Sequence, residues 1–558
     1  MKANRTYCYL GAMLLIASLL TVACDLDEFS ETRRQEDSYY KDKSECEMAV
    51  QGMYAAAQWI YGKNLLELVE FPSDYGRTTK TTTQKNVDLT LYQWIPTHET
   101  ILGFYRDAYA AINRFNNVIR NIEAADFLSE DDKNRMLGEA RFMRGLHHLE
   151  LARVFGEIPV KMTDTEGSNV TSYPKWKNED IFKKSIIPDL TFAEQNLPFD
   201  AYADHRASGA AAKALLARTY LWLASCGKNH VMYHEWVSEQ GLVAEYTDSV
   251  KRKCLPILES PKYGLYDKFY DVWLVDNKIA KNNVVENIFA INFEYENSEG
   301  NSYGAYFHSL YGSSAPAWDL TPGRDPVCLG EGYDGMAPTR EFWEDIHVDP
   351  YDKRDTTMFT LRYGRTADKD KFLAAGGANN PNNTSGPAGN MASGQNFGIV
   401  KYRFQKGLES SAAGSAQMPV VRYADVLLMY AEAAGMGDAT GVAAFEEVRK
   451  RACEMPDYTL AKYLPAALAS EDDYMYYLLR ERKIELCFER SRWFDMVRTG
   501  TLGSTISNLK SVSFNTTNGV QTIDRSQYFD NVEKRQFFPI PSRAIELNDG
   551  LTQNAPWK

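Results

Sequence analysis

Long basic runs are missing from this chain of 558 residues. Lysine and arginine never follow one another beyond two or three positions, and 75 acidic residues outnumber 62 basic ones, for a net charge of −13. Proteins that grip a nucleic-acid backbone display a basic patch, so that class of partner is excluded. Cysteine is equally sparse. Eight thiols are scattered singly: Cys8 and Cys24 near the N-terminus, then Cys46, Cys226, Cys254, Cys328, Cys453 and Cys487. That spacing makes neither a CxxC metal knuckle nor a disulfide-dense scaffold, and most of these residues are expected as small buried apolar groups. Enzymatic signatures are also thin. There is no GxSxG elbow, Walker loop or HExxH helix. His230 and His234 stand four apart, but no third ligand accompanies them, so they read as surface or packed histidines, with no metal and no cofactor. Carboxylates are so common that spacing neither picks out nor excludes a glycosidase pair.

What is present begins with "LLIASLLTVACDLDEF", residues 14–29. Lys2 and Arg5 precede a tract from Tyr9 to Ala23 without a charge, the pattern of an export signal. The tract falls short of the roughly 20 apolar residues of a spanning helix, and no basic cluster follows to anchor one. "LTVAC" looks like a bacterial lipobox, with cleavage before Cys24 and acylation of that residue. Thr21 stands where leucine is commonest, and Leu20 lies one place earlier. Removal of residues 1–23 takes away two basic residues and no acid, so the mature chain carries −15. Acyl chains add about 0.8 kcal/mol per buried methylene, enough when several are attached to hold a soluble body on a membrane.

Behind the tether, helices dominate. "SECE" at Ser44 and "SEDD" at Ser129 and Ser470 have the form of N-caps with acids in the first turn. Two predicted helices exceed six turns, one starting at Ser129 and one running from Ser470 through "RERKIELCFERSRWFDMVRTG". In the first, Met136, Ala140, Met143, Leu151 and Val154 form one stripe and Phe142, Leu146 and Leu149 a second, as in a helix packed on two sides. Gly138 and Gly145 between them permit close approach. "RYADVLLMYAEAAG" and "TGVAAFEEVRKRA" read as a hairpin around "GMGD", and small residues facing large ones suggest tetratricopeptide-like packing without a strict repeat. From 265 to 418 the pattern turns irregular, with the Gly/Asn/Pro/Ser tract 374–394 as a long surface loop. The expected organisation is a signal over 1–23, a helical region over 24–264, a loop-rich ligand-binding insertion over 265–418, and a helical region over 419–558 completing the same fold.

Five blocks in order, "EARFMRGLHHLELARVFGEIPV", "AAAKALLARTYLW", "PVVRYADVLLMYAEA", "RERKIELCFERSRWFDMVRTG" and "FFPIPSRAIELNDGLTQNAPW", resemble those of the SusD/RagB nutrient-binding outer-membrane lipoproteins. With the lipobox they span nearly the whole chain. Two departures are Arg490, where the family usually has glycine, and Glu447, where it usually has asparagine. The resemblance implies a mainly α fold of four tetratricopeptide-like hairpins and no catalytic activity. It also implies a lid on a SusC/RagA-like TonB-dependent transporter that captures oligosaccharide, or in some members peptide. The acidic "DLDEF" after Cys24 resembles a surface-export signal, which places the protein on the outer face of the outer membrane. A surface glycoside hydrolase and a purely structural scaffold are the competing classes.

A sugar needs a flat aromatic face beside polar groups. Two segments offer this: 71–94, with Asp74, Arg77, Tyr92 and Trp94, and 301–320, with Tyr303, Tyr311 and Trp318. Trp273 in "FYDVWLVDN" is a further candidate. Trp222 and Trp493, inside helical blocks, are assigned to the core. Glu481, Arg482, Glu485, Glu489 and Arg492 are assigned to ion pairs that fix the scaffold.

Overall fold

The computed structural model describes residues 39–78, 83–164, 172–200, 206–273, 284–293, 318–319, 327–328, 335–346, 348–354, 359–360, 398–399, 401–402, 417–509, 511–516, 519–529 and 531–558. Cys24 and the tract 374–394 lie outside them. The chain is mainly helical. Helix α1 (Lys43–Trp59) starts two residues before the position that a Ser44 cap predicts, because the Asp42 carboxylate accepts the Glu45 N–H at 2.9 Å. A π-turn, Ile60–Asn64, carries it into α2 (Leu65–Glu70). Helix α3 (Glu99–Ala124) is followed by α4 (Glu130–Phe155), whose Ser129 cap accepts the Asp132 N–H. Both apolar stripes of α4 are buried, so the helix is enclosed on two sides. Its partners are α3 and α5 (Ile187–Asn196). A Cβ on Gly145 would stand 3.2 Å from side-chain atoms of Asp189 and Leu190, and this missing methyl sets the spacing between α4 and α5.

The packing then proceeds neighbour to neighbour. Helix α6 (Gly209–Lys228) lies against α5 and against α7 (Val243–Leu258). Helix α7 also packs on α8 (Tyr423–Ala434), and α8 on α9 (Ala439–Cys453). Residues far apart in sequence therefore continue one stack. The N-cap of α9 is Asp438, and Gly435 at φ 73° turns the chain between the pair. Trp222 and Trp493 are buried, as are the free thiols of Cys46, Cys226, Cys254, Cys453 and Cys487.

The predicted long helix from Ser470 is in fact two, α10 (Glu471–Glu485) and α11 (Arg492–Arg498). Phe488 at φ 60° and Arg490 at φ 64° break it. A non-glycine residue in the left-handed region is sterically costly, and Arg490 occupies the position where the family usually has glycine. Contacts offset that strain: the Arg490 guanidinium donates to the Pro419 carbonyl at 2.6 Å and lies 5.1 Å from the Tyr61 ring centre.

Among the described residues, strands occur as five antiparallel pairs: β1 (Gly76–Thr78) with β5 (Met336–Pro338), β2 (Asn287–Ile291) with β8 (Met418–Arg422), β3 (Trp318–Asp319) with β4 (Val327–Cys328), β6 (Phe359–Thr360) with β7 (Gly398–Ile399), and β9 (Ser511–Thr516) with β10 (Gly519–Asp524). The β2–β8 pair brings both ends of the irregular region together beside α8. Beneath it lies a buried ionic lattice. Arg422 pairs with Glu286 at 3.0 Å, Glu485 at 2.6 Å and Glu489 at 2.8 Å. Arg354 joins Asp352, Glu481 and Glu485 at 2.6 to 2.8 Å, and Arg451 joins Glu286 and Glu485. Burial by itself would raise the Glu485 carboxyl, but the charges of Arg451, Arg422 and Arg354 overcome it and hold the group far below the ordinary carboxylate range.

Glu485→Ala would take from Arg354, Arg422 and Arg451 the one carboxylate they share, leaving each with its other partners only, and breaking a buried pair typically costs about 3–5 kcal/mol. The expected outcome is a clear fall in the urea midpoint of unfolding; a midpoint within error of the parent would refute this account of the lattice.

Candidate ligand-binding face

Helix α2 ends where the chain must reverse, and residues 71–75 carry it into β1. Antiparallel pairing then sets Gly76 opposite Pro338 and Thr78 opposite Met336. Thr339 Oγ1 donates to the Asp74 carbonyl at 2.8 Å, and Thr78 Oγ1 donates to the Gly335 carbonyl at 3.3 Å. The first candidate segment, 71–94, is thus tied to residues 335–339, downstream of the second. The entrance of the second is fixed too. After β2 the chain reaches Phe293, whose ring packs so closely on Gly62 that an added Cβ would come within 2.8 Å of it. Residues 294–335 therefore connect two anchor points on the helical scaffold, Phe293 and β5.

The first segment itself is not an exposed loop. Asp74 is buried, with its carboxylate held by Arg492 at 2.8 and 2.9 Å and by Lys483 at 3.3 Å. Burial raises this carboxyl's pKa, but the two cations outweigh the penalty and drive it far below its usual value. Arg77 is buried and donates to the Pro338 carbonyl at 3.3 Å. Tyr92, at φ 58°, donates to the Pro72 carbonyl at 3.0 Å, with its ring edge-on to Trp94 and Phe529. Trp94 is 1% exposed. Phe538 stacks on it at 4.9 Å, Trp493 meets it edge-on at 6.1 Å, and the Arg535 guanidinium lies 4.8 Å from its ring centre.

Both faces of that indole are thus occupied by protein. As candidates for direct sugar contact, Asp74, Arg77, Tyr92 and Trp94 are corrected to the frame under the face. The cause is the C-terminal segment: Arg525 donates to the carbonyls of Gly76 and Ser73, and Phe529 and Phe538 close over the rings. Trp273 receives the same correction. It is 4% exposed, meets Tyr402 edge-on at 5.1 Å, and has the Lys401 ammonium 4.5 Å from its ring centre, a cation that also pairs with Glu489 in the lattice. Tyr303 and Tyr311 lie outside the described residues. For Trp318 the backbone alone is described, and it pairs with Cys328.

His234 is a packed histidine. Its Nε2 accepts from Trp222 Nε1 at 2.9 Å while Nδ1 bonds the Met232 carbonyl at 2.9 Å, and burial lowers its pKa to about 4. His230 sits in a turn at φ 51°. Among the described residues there is no group of three metal-ligating side chains, and no helix long and apolar enough to cross a membrane. Glu70 differs from Asp74 and Glu485. Desolvation pushes it up to about 7, against the Tyr75 hydroxyl, the Arg490 backbone N–H and the more distant Arg490 and Lys401 charges. It is fully buried, without an approach for a substrate. A cavity that no local motif announces lies elsewhere, between α3 and the C-terminal segment; the spacing of Tyr105 and Tyr109 by four residues is its trace in the sequence.

Comparison with known proteins agrees with this architecture. A SusD-family model matches residues 285–557, and a second model, described as starch-binding and associating with the outer membrane, matches residues 26–221. The chain belongs to the SusD/RagB family. It is 23% identical to SusD-like protein P2 of Formosa agariphila, over 97% of this chain and 98% of the relative. It is 25% identical to a SusD-like protein of Bacteroides ovatus, over 87% and 82% respectively. Among solved structures, a SusD homolog from Bacteroides thetaiotaomicron superposes with a TM-score of 0.74 at 22% identity, covering 93% of this chain and 99% of that one. Surface glycan-binding protein A of the same organism, solved in complex with laminarihexaose, superposes with a TM-score of 0.64 at 19% identity, over 92% and 99%.

Two outcomes follow. Trp94→Ala should cost about 3–5 kcal/mol of stability, as for other large buried aromatics, seen as a lower melting temperature; an unchanged melting temperature would return Trp94 to the exposed candidates. Because the folded-state pKa of Glu70 is raised, its contribution is fully present below the unfolded value near 4.3 and is lost as pH rises toward 7. Glu70→Gln should therefore raise the melting temperature at pH 8, with the gain shrinking toward pH 5; thermal scans at the two pH values check this.

Proposed function

We propose that the chain is a cell-surface oligosaccharide-binding lipoprotein, tethered through Cys24 to the outer membrane and seated as a non-catalytic lid on a SusC/RagA-like TonB-dependent transporter. The observation that carries the reading is the fold shared with a glycan-binding protein solved with laminarihexaose; between Phe293 and Met336, both held on the scaffold, the sequence carries Tyr303, Tyr311 and Trp318. Family membership and the family description of outer-membrane association support the location. Sugar stacking on an aromatic platform is weak for one unit and grows with the number of units engaged.

The competing classes are weighed on the same residues. A glycoside hydrolase needs a carboxylic acid with a raised pKa that faces a cleft. Among the described carboxylates with raised pKa, Glu70 and Glu139 are sealed in the interior, Glu139 against Arg135 and Arg206, and Glu447 stands on the outer side of α9 and lines no described cavity, whereas Asp74, Asp425 and Glu485 are held ionised by arginine or lysine. This favours binding without turnover. A peptide-capturing lid would use the same face, and glycan-binding proteins among the structural neighbours favour sugar over peptide.

Calorimetric titration of the mature protein with a panel of neutral oligosaccharides and of peptides should detect a glycan whose affinity rises with chain length. Trp318→Ala should weaken it at least tenfold. Binding of peptides alone would overturn the glycan reading, release of reducing ends would overturn the non-catalytic one, and full affinity in Trp318→Ala would remove that residue from the platform.

A further inference from the structure

A cavity of about 510 Å³ opens between α3, the segment after α4 and the C-terminal helix Ser542–Glu546. Small-molecule sites commonly enclose roughly 300–1,000 Å³, so the space fits a sugar unit or two. Tyr105 and Tyr109 stand one helical turn apart on α3 with ring centres 4.7 Å apart, and Tyr173 faces them across the opening. These walls are held in place. Tyr109 donates to the Pro159 carbonyl at 2.6 Å, and the backbone of Tyr173 is bound on both sides by the Asn548 side chain, at 2.7 and 2.9 Å.

The charges around the cavity are of one sign. Arg106, Lys161 and Arg543 line it, and no carboxylate does among the described residues. Arg106 and Arg543 have surface partners in Asp107 and Glu546, exposed pairs that contribute little and rearrange at little cost. Lys161 is different. Its ammonium is half-buried and lies 4.3 Å from the centre of the Tyr173 ring, with no ion pair among the described residues. Burial lowers its pKa with no opposing charge. In a chain with more acid than base, an unpaired, partly desolvated cation between tyrosines marks a place for an anion that also has an apolar face.

We propose that this cavity is a second saccharide site, specific for a sugar unit that carries a negative charge. The C–H face of the pyranose would rest on Tyr105, Tyr109 and Tyr173, and its anionic group, a uronate carboxylate or a sulfate ester, would be bound by Lys161 with Arg106 or Arg543. The proposal rests on the glycan reading above and adds to it a substrate class and a place. Beyond about 8 Å at physiological salt the acidic surface is screened, so the local cations decide whether the anion stays.

Calorimetric titration of the mature protein with trigalacturonate, its methyl-esterified counterpart, a sulfated carrageenan tetrasaccharide and neutral laminarihexaose tests this. Trigalacturonate or the sulfated tetrasaccharide should bind, the two arms telling carboxylate from sulfate, and the methyl ester should not. Lys161→Ala and Tyr173→Leu should each weaken the acidic ligand at least tenfold, and Lys161→Arg should retain it. Trp318→Ala should leave acidic binding unchanged, and Lys161→Ala should leave neutral binding unchanged. The proposal is overturned if both acidic ligands fail to bind, if Lys161→Ala with a parental melting temperature binds them as the parent does, or if Trp318→Ala abolishes them. Failure of every neutral glycan beside Lys161-dependent acidic binding would instead count against residues 294–335 as the platform.

Discussion

Glu485 is where the molecule is tied together. Its carboxylate meets Arg354 and Arg422, which come from the irregular region and its border, and Arg451 from α9. Ionised groups so deeply buried are expensive to desolvate, and a well-packed apolar cluster would stabilise as well or better. What the lattice provides instead is definition: planar guanidinium forks accept few geometries, so strand β8, the 352–354 segment and α10 have one arrangement relative to each other. The Asp74–Arg492 and Lys483 pairs extend the same principle to the edge strand β1. A loop-borne site needs a frame of this kind, because a platform of aromatic rings has affinity only when its spacing is held.

Much of the helical scaffold was legible along the chain. Ser129 and Ser470 cap their helices, the two stripes of α4 are buried, Gly145 marks a close crossing, and the α8–α9 hairpin turns at "GMGD". These features depend on residues within a few turns of one another. The misreadings have two causes. Asp42 displaces Ser44 as a cap because a competing acceptor lies two residues upstream, and the helix from Ser470 breaks at Phe488 and Arg490 because tertiary contacts sustain left-handed residues that no local rule favours.

The candidate site shows that division most sharply. Trp94 and Tyr92 sit in a polar stretch and read as exposed, yet Phe529, Arg535 and Phe538, more than 400 positions later, cover them. Asp74 reads as a solvated group and is instead an interior anchor for Arg492. Aromatic composition does not tell which of these rings face outward, because facing is decided by the partner that arrives from the far end of the chain.

A crystal structure of the mature protein with a bound oligosaccharide tests the central claim most directly. The account predicts sugar rings stacked against side chains of residues 294–335, with Trp94 and Asp74 beneath them and still in contact with Phe538 and Arg492. A sugar stacked directly on Trp94, with Phe538 displaced, would contradict it.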